Sequence, residues 1–240
     1  MTETTLENVP KAILKEMMDH AMHIGHRSQK WHPKMAPYIY AKKDGIHVFD
    51  LRKTYTKFQE ALNFIENLGK EGKLLMFVNT KPQAQNLIIE TAKKCESPFV
   101  DSKWFPGLLT NFKTIKSRIQ YLKELEEQEK SGELEEKYLK KEIVKIKKEI
   151  EKLRNALGGV ETLYKLPNAI FITDIKKEVI AVKEAKKLNI PIIAVTDTNT
   201  DPSLIDFPIP ANDDAMKSLE YIITKVGEHY LKGKQSPKIT

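Results

Sequence analysis

Hydrophobic positions along the 240-residue chain fall into runs of two kinds. Short continuous apolar stretches, KLLMFV at 73–78, AIFIT at 169–173 and PIIAVT at 191–196, read as strands buried on both faces. SPFV at 97–100 reads as a further short strand. Between them lie segments with helical spacing. Residues 54–68 carry Phe58, Leu62 and Ile65 on one face. TKPQAQNLIIETAKKC places Pro82 at a helix start, and 177–188 gives another helix. A first helix is expected over 6–20, and a last one opens at ANDDAM with Asn212 as its cap and ends near 231. Near the N-terminus, 37–40 and 46–49 flank KKDG, which predicts two strands turning at Asp44-Gly45. Alternation of apolar strand and helix indicates βαβ units and a parallel sheet covered by helices on both faces.

Residues 111–157 break this alternation. Leu139, Ile143, Ile146, Ile150, Leu153 and Leu157 are spaced 4, 3, 4, 3, 4, which is a coiled-coil a/d seam. Phe112, Ile115, Ile119 and Leu122 form a matching stripe, with Ser131-Gly132 between the two. The expected structure is an antiparallel helical hairpin, 111–157, inserted into an α/β domain made of 1–110 and 158–231, with Gly158-Gly159 ending the second helix. Residues 232–240 read as a basic, flexible tail. The hairpin's charge is segregated: seven Glu and Lys130 lie within 124–136, and six Lys and Glu142 within 137–148. Residues 103–118 contain Lys103, Lys113, Lys116 and Arg118 and no acid. Such a surface suits either simple solvation with i,i+4 pairs or a basic stem on phosphates with its acidic tip turned to a protein.

The net charge of +7 points to a polyanionic partner, nucleic acid or an acidic membrane surface. Arginine occurs only at Arg27, Arg52, Arg118 and Arg154, so lysine supplies 36 of the 40 basic residues. That balance favours neutralising a backbone over bidentate reading of base edges. Cys95 is the single cysteine, which excludes an intrachain disulfide and a cysteine zinc cluster and suggests a reducing compartment. The opening residues lack a signal-peptide pattern, and no stretch approaches the ~18 apolar residues of a membrane span, so a cytoplasmic location is expected.

Candidate chemistry narrows the choice. No Gly-rich nucleotide fingerprint follows an expected strand, and Pro82 removes an N–H that a phosphate loop would use. Cys95, late in a helix, suits packing better than nucleophilic attack. DTNTD at 197–201 begins like a calcium loop, but Pro202 and Pro208 stand where Gly and Glu are needed. His23 and His26, three apart and so on one face of a helix, could join an acid such as Asp197, Asp213 or Asp214 around zinc; the sequence leaves that open. HIGHRSQKWHPKMAPYIY, 23–40, interleaves Arg27, Lys30 and Lys34 with Trp31, Tyr38 and Tyr40, cations for phosphates and rings for bases or sugars. The plainer alternative is that the rings are core anchors and only the cations are exposed.

That segment, together with GIHVFDLRKT, WFPGLLTNFKTI, LGGV, LPNAIFITD, IAVKEAKKLNIPIIAVTDTNTDP and IPANDDA, resembles in order the bacterial small-subunit ribosomal protein S-two family, from about residue 7 to 231. The resemblance implies a flavodoxin-like, doubly wound α/β domain with an inserted coiled-coil hairpin, a feature of the bacterial proteins. It implies a structural constituent of the small (30S) subunit, without enzymatic activity or cofactor. Such a protein joins late and binds 16S rRNA on the solvent side between head and body. Its protein neighbours include the mRNA-binding ribosomal protein S-one, which docks on it, with mRNA nearby. The chain departs from the family at Trp104-Phe105-Pro106-Gly107, where Trp-Leu-Gly-Gly is usual, at Ala21-Met22-His23 for the usual Gly-Val-His, and in lacking the common acidic extension.

On this reading Arg27, Lys30, Lys34, Lys53, Lys81, Lys113, Lys116 and Arg118 are expected to contact phosphates. Trp31 and Trp104 are expected to fix shape at the RNA-facing edge. Two rival classes remain: a metal- or nucleotide-dependent α/β enzyme working at the sheet's carboxyl edge, and a coiled-coil protein adaptor.

Overall fold

A computed structural model describes residues 9–236. Helix α1 spans Lys11–Asp19, with Pro10 at its cap position; residues 6–8 of the expected first helix lie outside the described residues. The larger sheet is built from β4 (Leu75–Val78), β5 (Phe99–Val100), β6 (Ala169–Ile172), β7 (Ile192–Thr196) and β8 (Phe207–Pro210). Its order is β5-β4-β6-β7-β8, every neighbouring pair parallel. The chain steps from β4 outward to β5, then back past β4 to β6, β7 and β8. That reversal makes the sheet doubly wound, as expected, and sets a switch point between the ends of β4 and β6.

The apolar runs form strands because alternate residues feed two cores. Leu75, Phe77, Phe171, Ile193, Val195 and Ile209 face α2 (Leu51–Lys70), α3 (Gln85–Lys94) and α8 (Met216–Gln235). Met76, Val78, Ile170, Ile172, Ile192 and Ala194 face α7 (Val179–Lys187) and the root of the hairpin at Leu109, Ile115, Ile119 and Leu157. Strand β8, FPIP, was not expected, because prolines argue against a strand; it survives at the sheet edge, where missing N–H donors cost least.

Helix α8 continues to Gln235, past the expected end near 231. Lys232 lies 2.9 Å from Glu66 and Lys234 2.7 Å from Glu96, so the first residues of the expected tail are pinned to α2 and to the turn after α3. Helices α2 and α8 meet backbone to backbone: a Cβ on Gly233 would lie 2.1 Å from the Glu66 carbonyl oxygen. Asn212 does not cap α8 directly. It accepts from the Asp214 and Ala215 N–H groups one turn earlier, and Ala215 takes the cap position.

A smaller antiparallel sheet, β1 (Ile24–Arg27), β2 (Ile39–Lys43) and β3 (Ile46–Phe49), has the order β1-β3-β2. Asp44 and Gly45 make its β2–β3 turn with φ of 49° and 77°. The helical reading of His23 and His26 is overturned: His26 lies on strand β1 and His23 in the turn just before it. The strand went unseen because IGHR carries no clear alternation. Gly25 lets it lie against the 198 loop: a Cβ there would meet the Thr198 methyl at 2.6 Å.

The insertion folds as α4 (Phe112–Ser131), a short α5 (Glu133–Lys137) and α6 (Lys140–Leu157). Ile115, Ile119, Leu122 and Leu125 bury against α6 at Ile150 and Leu157. Toward the tip the expected seam opens. Leu139 is 75 % exposed because the chain is extended there, and its N–H donates to the Glu142 carboxylate at the start of α6. Gly158 stays right-handed and leads into a 3-10 turn, Gly158–Val160, instead of a left-handed cap.

Candidate functional site

The carboxyl ends of β4, β6 and β7 converge on one polar cluster. Asn79, just after β4, accepts from the Thr173 hydroxyl just after β6 at 2.6 Å and donates to the Lys81 carbonyl at 2.9 Å. The Lys81 ammonium lies 3.0 Å from Asp174, 2.9 Å from Asp213 and 2.8 Å from Asp214, and also donates to the Asp213 carbonyl. The Thr80 hydroxyl donates to Glu178. The switch point, where a doubly wound fold takes a nucleotide, is thus filled by the protein's own side chains.

This corrects the expectation for Lys81. Its side chain is buried, and three carboxylates hold its ammonium inside, where no phosphate on a neighbouring molecule reaches it. Burial alone would lower its pKa; Asp213, Asp214 and Asp174 outweigh that and raise it. Burial, with Asp197 beside it, pushes the Asp213 carboxyl up to about 7.

His26 joins β1 to the same cluster. Its Nδ1 lies 3.0 Å from Asp197 and its Nε2 3.4 Å from Asp214, while its backbone N–H donates to the Thr198 hydroxyl at 2.9 Å. The hydrogen bond to buried Asp197 raises its pKa against the opposing effect of burial. His26, Asp213 and Asp214 present ligand atoms within 4.8 Å of one another, a nitrogen and oxygen set of the kind zinc accepts, although Lys81 already supplies a cation to both carboxylates. His23 does not join them. It lines a separate recess with Leu14, Met18, Tyr40 and Phe49, and its Nδ1 is buried without a partner. His23 sits in the turn just before β1, while His26 lies on the strand.

The other expected contact residues divide by what already holds them. Arg27 and Lys30 are exposed and have no ion pair among the described residues, and Arg27 lines a recess with Lys42. Trp31 is 42 % exposed and packs edge-on against the buried His47, ring centroids 5.4 Å apart, so it is anchored without being submerged. Lys34 is exposed but bonds Asp201 at 2.8 Å and Ser203 at 2.7 Å, tying the 33–38 turn to the loop after β7. Lys53 donates to the Pro37 carbonyl at 2.5 Å. Lys113, Lys116 and Arg118 stand exposed on α4 and are unpaired among the described residues.

Trp104 is the second correction. It is 4 % exposed, and its indole N–H donates to Glu184 at 3.1 Å, so it is an internal anchor with no face for RNA. The same carboxylate accepts the N–H groups of Gly107, Leu109 and Thr110 and the Thr110 hydroxyl, at 2.7–3.2 Å. Burial would raise the pKa of Glu184, but these donors outweigh it and hold the carboxyl below its usual range. Sequence reading missed Glu184, and the signal was there: it interrupts the apolar face of α7 formed by Ala181, Val182 and Ala185. Asp174 was missed too, though it follows an expected strand as Asp197 does.

No helix among the described residues is long and apolar enough to cross a membrane. A family model described as ribosomal protein S2 matches residues 17–233. The chain is 47% identical over 222 residues to the small ribosomal subunit protein uS2 of Dictyoglomus thermophilum, covering 92% of this chain and 90% of that one. It is 45% identical to the protein of the same name from Nitratiruptor sp., covering 92% and 83%.

Proposed function

The chain belongs to the ribosomal protein S2 family, and on that footing we propose that it binds 16S rRNA between the head and body of the small subunit, in the cytoplasm. Proteins of this family are structural components of the small ribosomal subunit, and this chain is one of them. The observation that supports RNA contact is the set of cations with no acidic partner among the described residues: Arg27 and Lys30 on one side, Lys113, Lys116 and Arg118 on the other. Unpaired surface cations cost nothing internal to hand over to phosphates. Lys34 and Lys53 fit a lesser part, since each already serves a neighbouring loop. Trp31 suits a ring laid against a sugar or base.

The tip of the hairpin suits a protein neighbour. Tyr138, Leu139 and Val144 are exposed there beside the acidic stretch, which supports docking of the mRNA-binding ribosomal protein S-one or another small-subunit protein, with mRNA nearby. A catalytic role draws no support from the switch point, whose polar groups bond one another.

The test is binding of the full chain to 16S rRNA across a salt series. Affinity is expected to fall steeply with salt, and replacing Lys113, Lys116 and Arg118 by Gln is expected to reduce the slope of log affinity on log salt by about 1 per residue lost. A slope unchanged by the triple replacement would remove α4 from the RNA interface.

A further inference from the structure

Helix α4 and the loop after α6 line a groove. Its volume is about 430 Å³. That is ample for a nucleobase and its sugar. Ile119 and Leu163, 5 % and 2 % exposed, line it at the bottom. Tyr164 and Tyr121, 74 % and 44 % exposed, stand on its walls. A tyrosine that exposed gains almost nothing from the core, so its ring is free for another planar group.

The charged residues of the groove are not equivalent. Lys113, Lys116 and Lys123 line it and have no acidic partner among the described residues. Two acids, Glu124 and Glu161, line it as well and are outnumbered by the three lysines; Glu124 accepts from the Gln120 side chain at 3.1 Å. Free cations beside free aromatic faces over an apolar floor match an unstacked nucleotide, phosphate outside and base within. A paired helix offers the phosphates alone, because its base faces are hidden.

We propose that this groove binds one unpaired nucleotide of RNA, its base stacked on Tyr164 and its flanking phosphates held by Lys113 and Lys116. The inference rests on the RNA-binding reading above and deepens it by naming the class of RNA element and the residues that select it. The groove was not legible in the sequence because Tyr164 and Lys113 are brought together only by the return of the hairpin to the sheet.

The full chain titrated with two RNA hairpins of equal length tests it, one fully paired and one carrying a single bulged 2-aminopurine. The bulged RNA is expected to bind roughly tenfold more tightly, with quenching of 2-aminopurine fluorescence as its base stacks. Tyr164→Ala is expected to abolish both the preference and the quenching while leaving affinity for the paired RNA unchanged, and Tyr164→Trp to restore them. The side chain is exposed, so neither variant threatens the fold. Lys113→Gln combined with Lys116→Gln is expected to weaken binding of both RNAs. Equal affinity for the two hairpins, or a preference that survives Tyr164→Ala, overturns the proposal and leaves the wider RNA-binding reading standing. Failure to bind either hairpin at low salt, the result if the groove covers a neighbouring protein, overturns both.

Discussion

The Lys81 ammonium lies 2.9 Å from the Asp213 carboxylate and so links the end of β4 to the loop that opens α8. With Asp174 on the same nitrogen, the contact closes the switch point of the sheet. Lys81→Met is expected to cost about 3–5 kcal/mol, since removing one partner strands buried carboxylates. Chemical denaturation measures it. The variant's RNA affinity, where it remains folded, is expected to keep its salt slope; a lower slope would return Lys81 to the RNA interface.

Glu184 ties the loop entering the hairpin to α7 through Trp104, Gly107, Leu109 and Thr110. A glutamine fits the space but turns an NH2 group toward donors. Glu184→Gln is therefore expected to destabilise the protein by about 1–3 kcal/mol. Hydrogen exchange is expected to speed up at 104–110 first. Uniform exchange across the protein would mean that the carboxylate does not organise this loop.

Gly233→Ala places a methyl group where the Glu66 carbonyl already stands. The α2–α8 contact must open, at an expected cost of about 1–3 kcal/mol. Thermal unfolding checks this, and a variant as stable as the parent would show that the helices yield freely.

Glu66 pairs with Lys70 one turn on within α2 and reaches across to Lys232 on α8. The hydrogen bond from Lys70, then that from Lys232, lowers its carboxyl to about 2. A depressed carboxyl contributes stability above its unfolded value, near 4.5, and loses it as pH falls toward 2. The melting temperature is expected to fall between pH 5 and pH 2.5, and less so in Glu66→Gln. Equal falls in both proteins would exclude Glu66 as a source of the acid sensitivity.

Burial patterns explain what could be read in advance. Runs such as LMFV and AIFI announce strands because both faces must be apolar, and the heptads of α4 and α6 announce a helical pair. Strands β1 and β8 escaped because tertiary neighbours hold them, Thr198 across from Gly25 and the sheet edge for Pro208 and Pro210. The site was harder to read for a related reason. A lysine in a polar loop looks like a phosphate contact, and only the fold reveals that Asp174, 213 and 214 surround Lys81. Trp104 and Glu184 are 80 positions apart, and no local spacing joins them. Arg27, Lys30, Lys113, Lys116 and Arg118 stayed at the surface, since nothing acidic among the described residues competes for them.

Sedimentation of cell lysate through a sucrose gradient, before and after a ~1 M salt wash, tests membership of the small subunit most directly. The protein is expected to travel with small subunits and whole ribosomes at low salt and to leave them at high salt. Confinement to the light fractions at low salt would contradict the account.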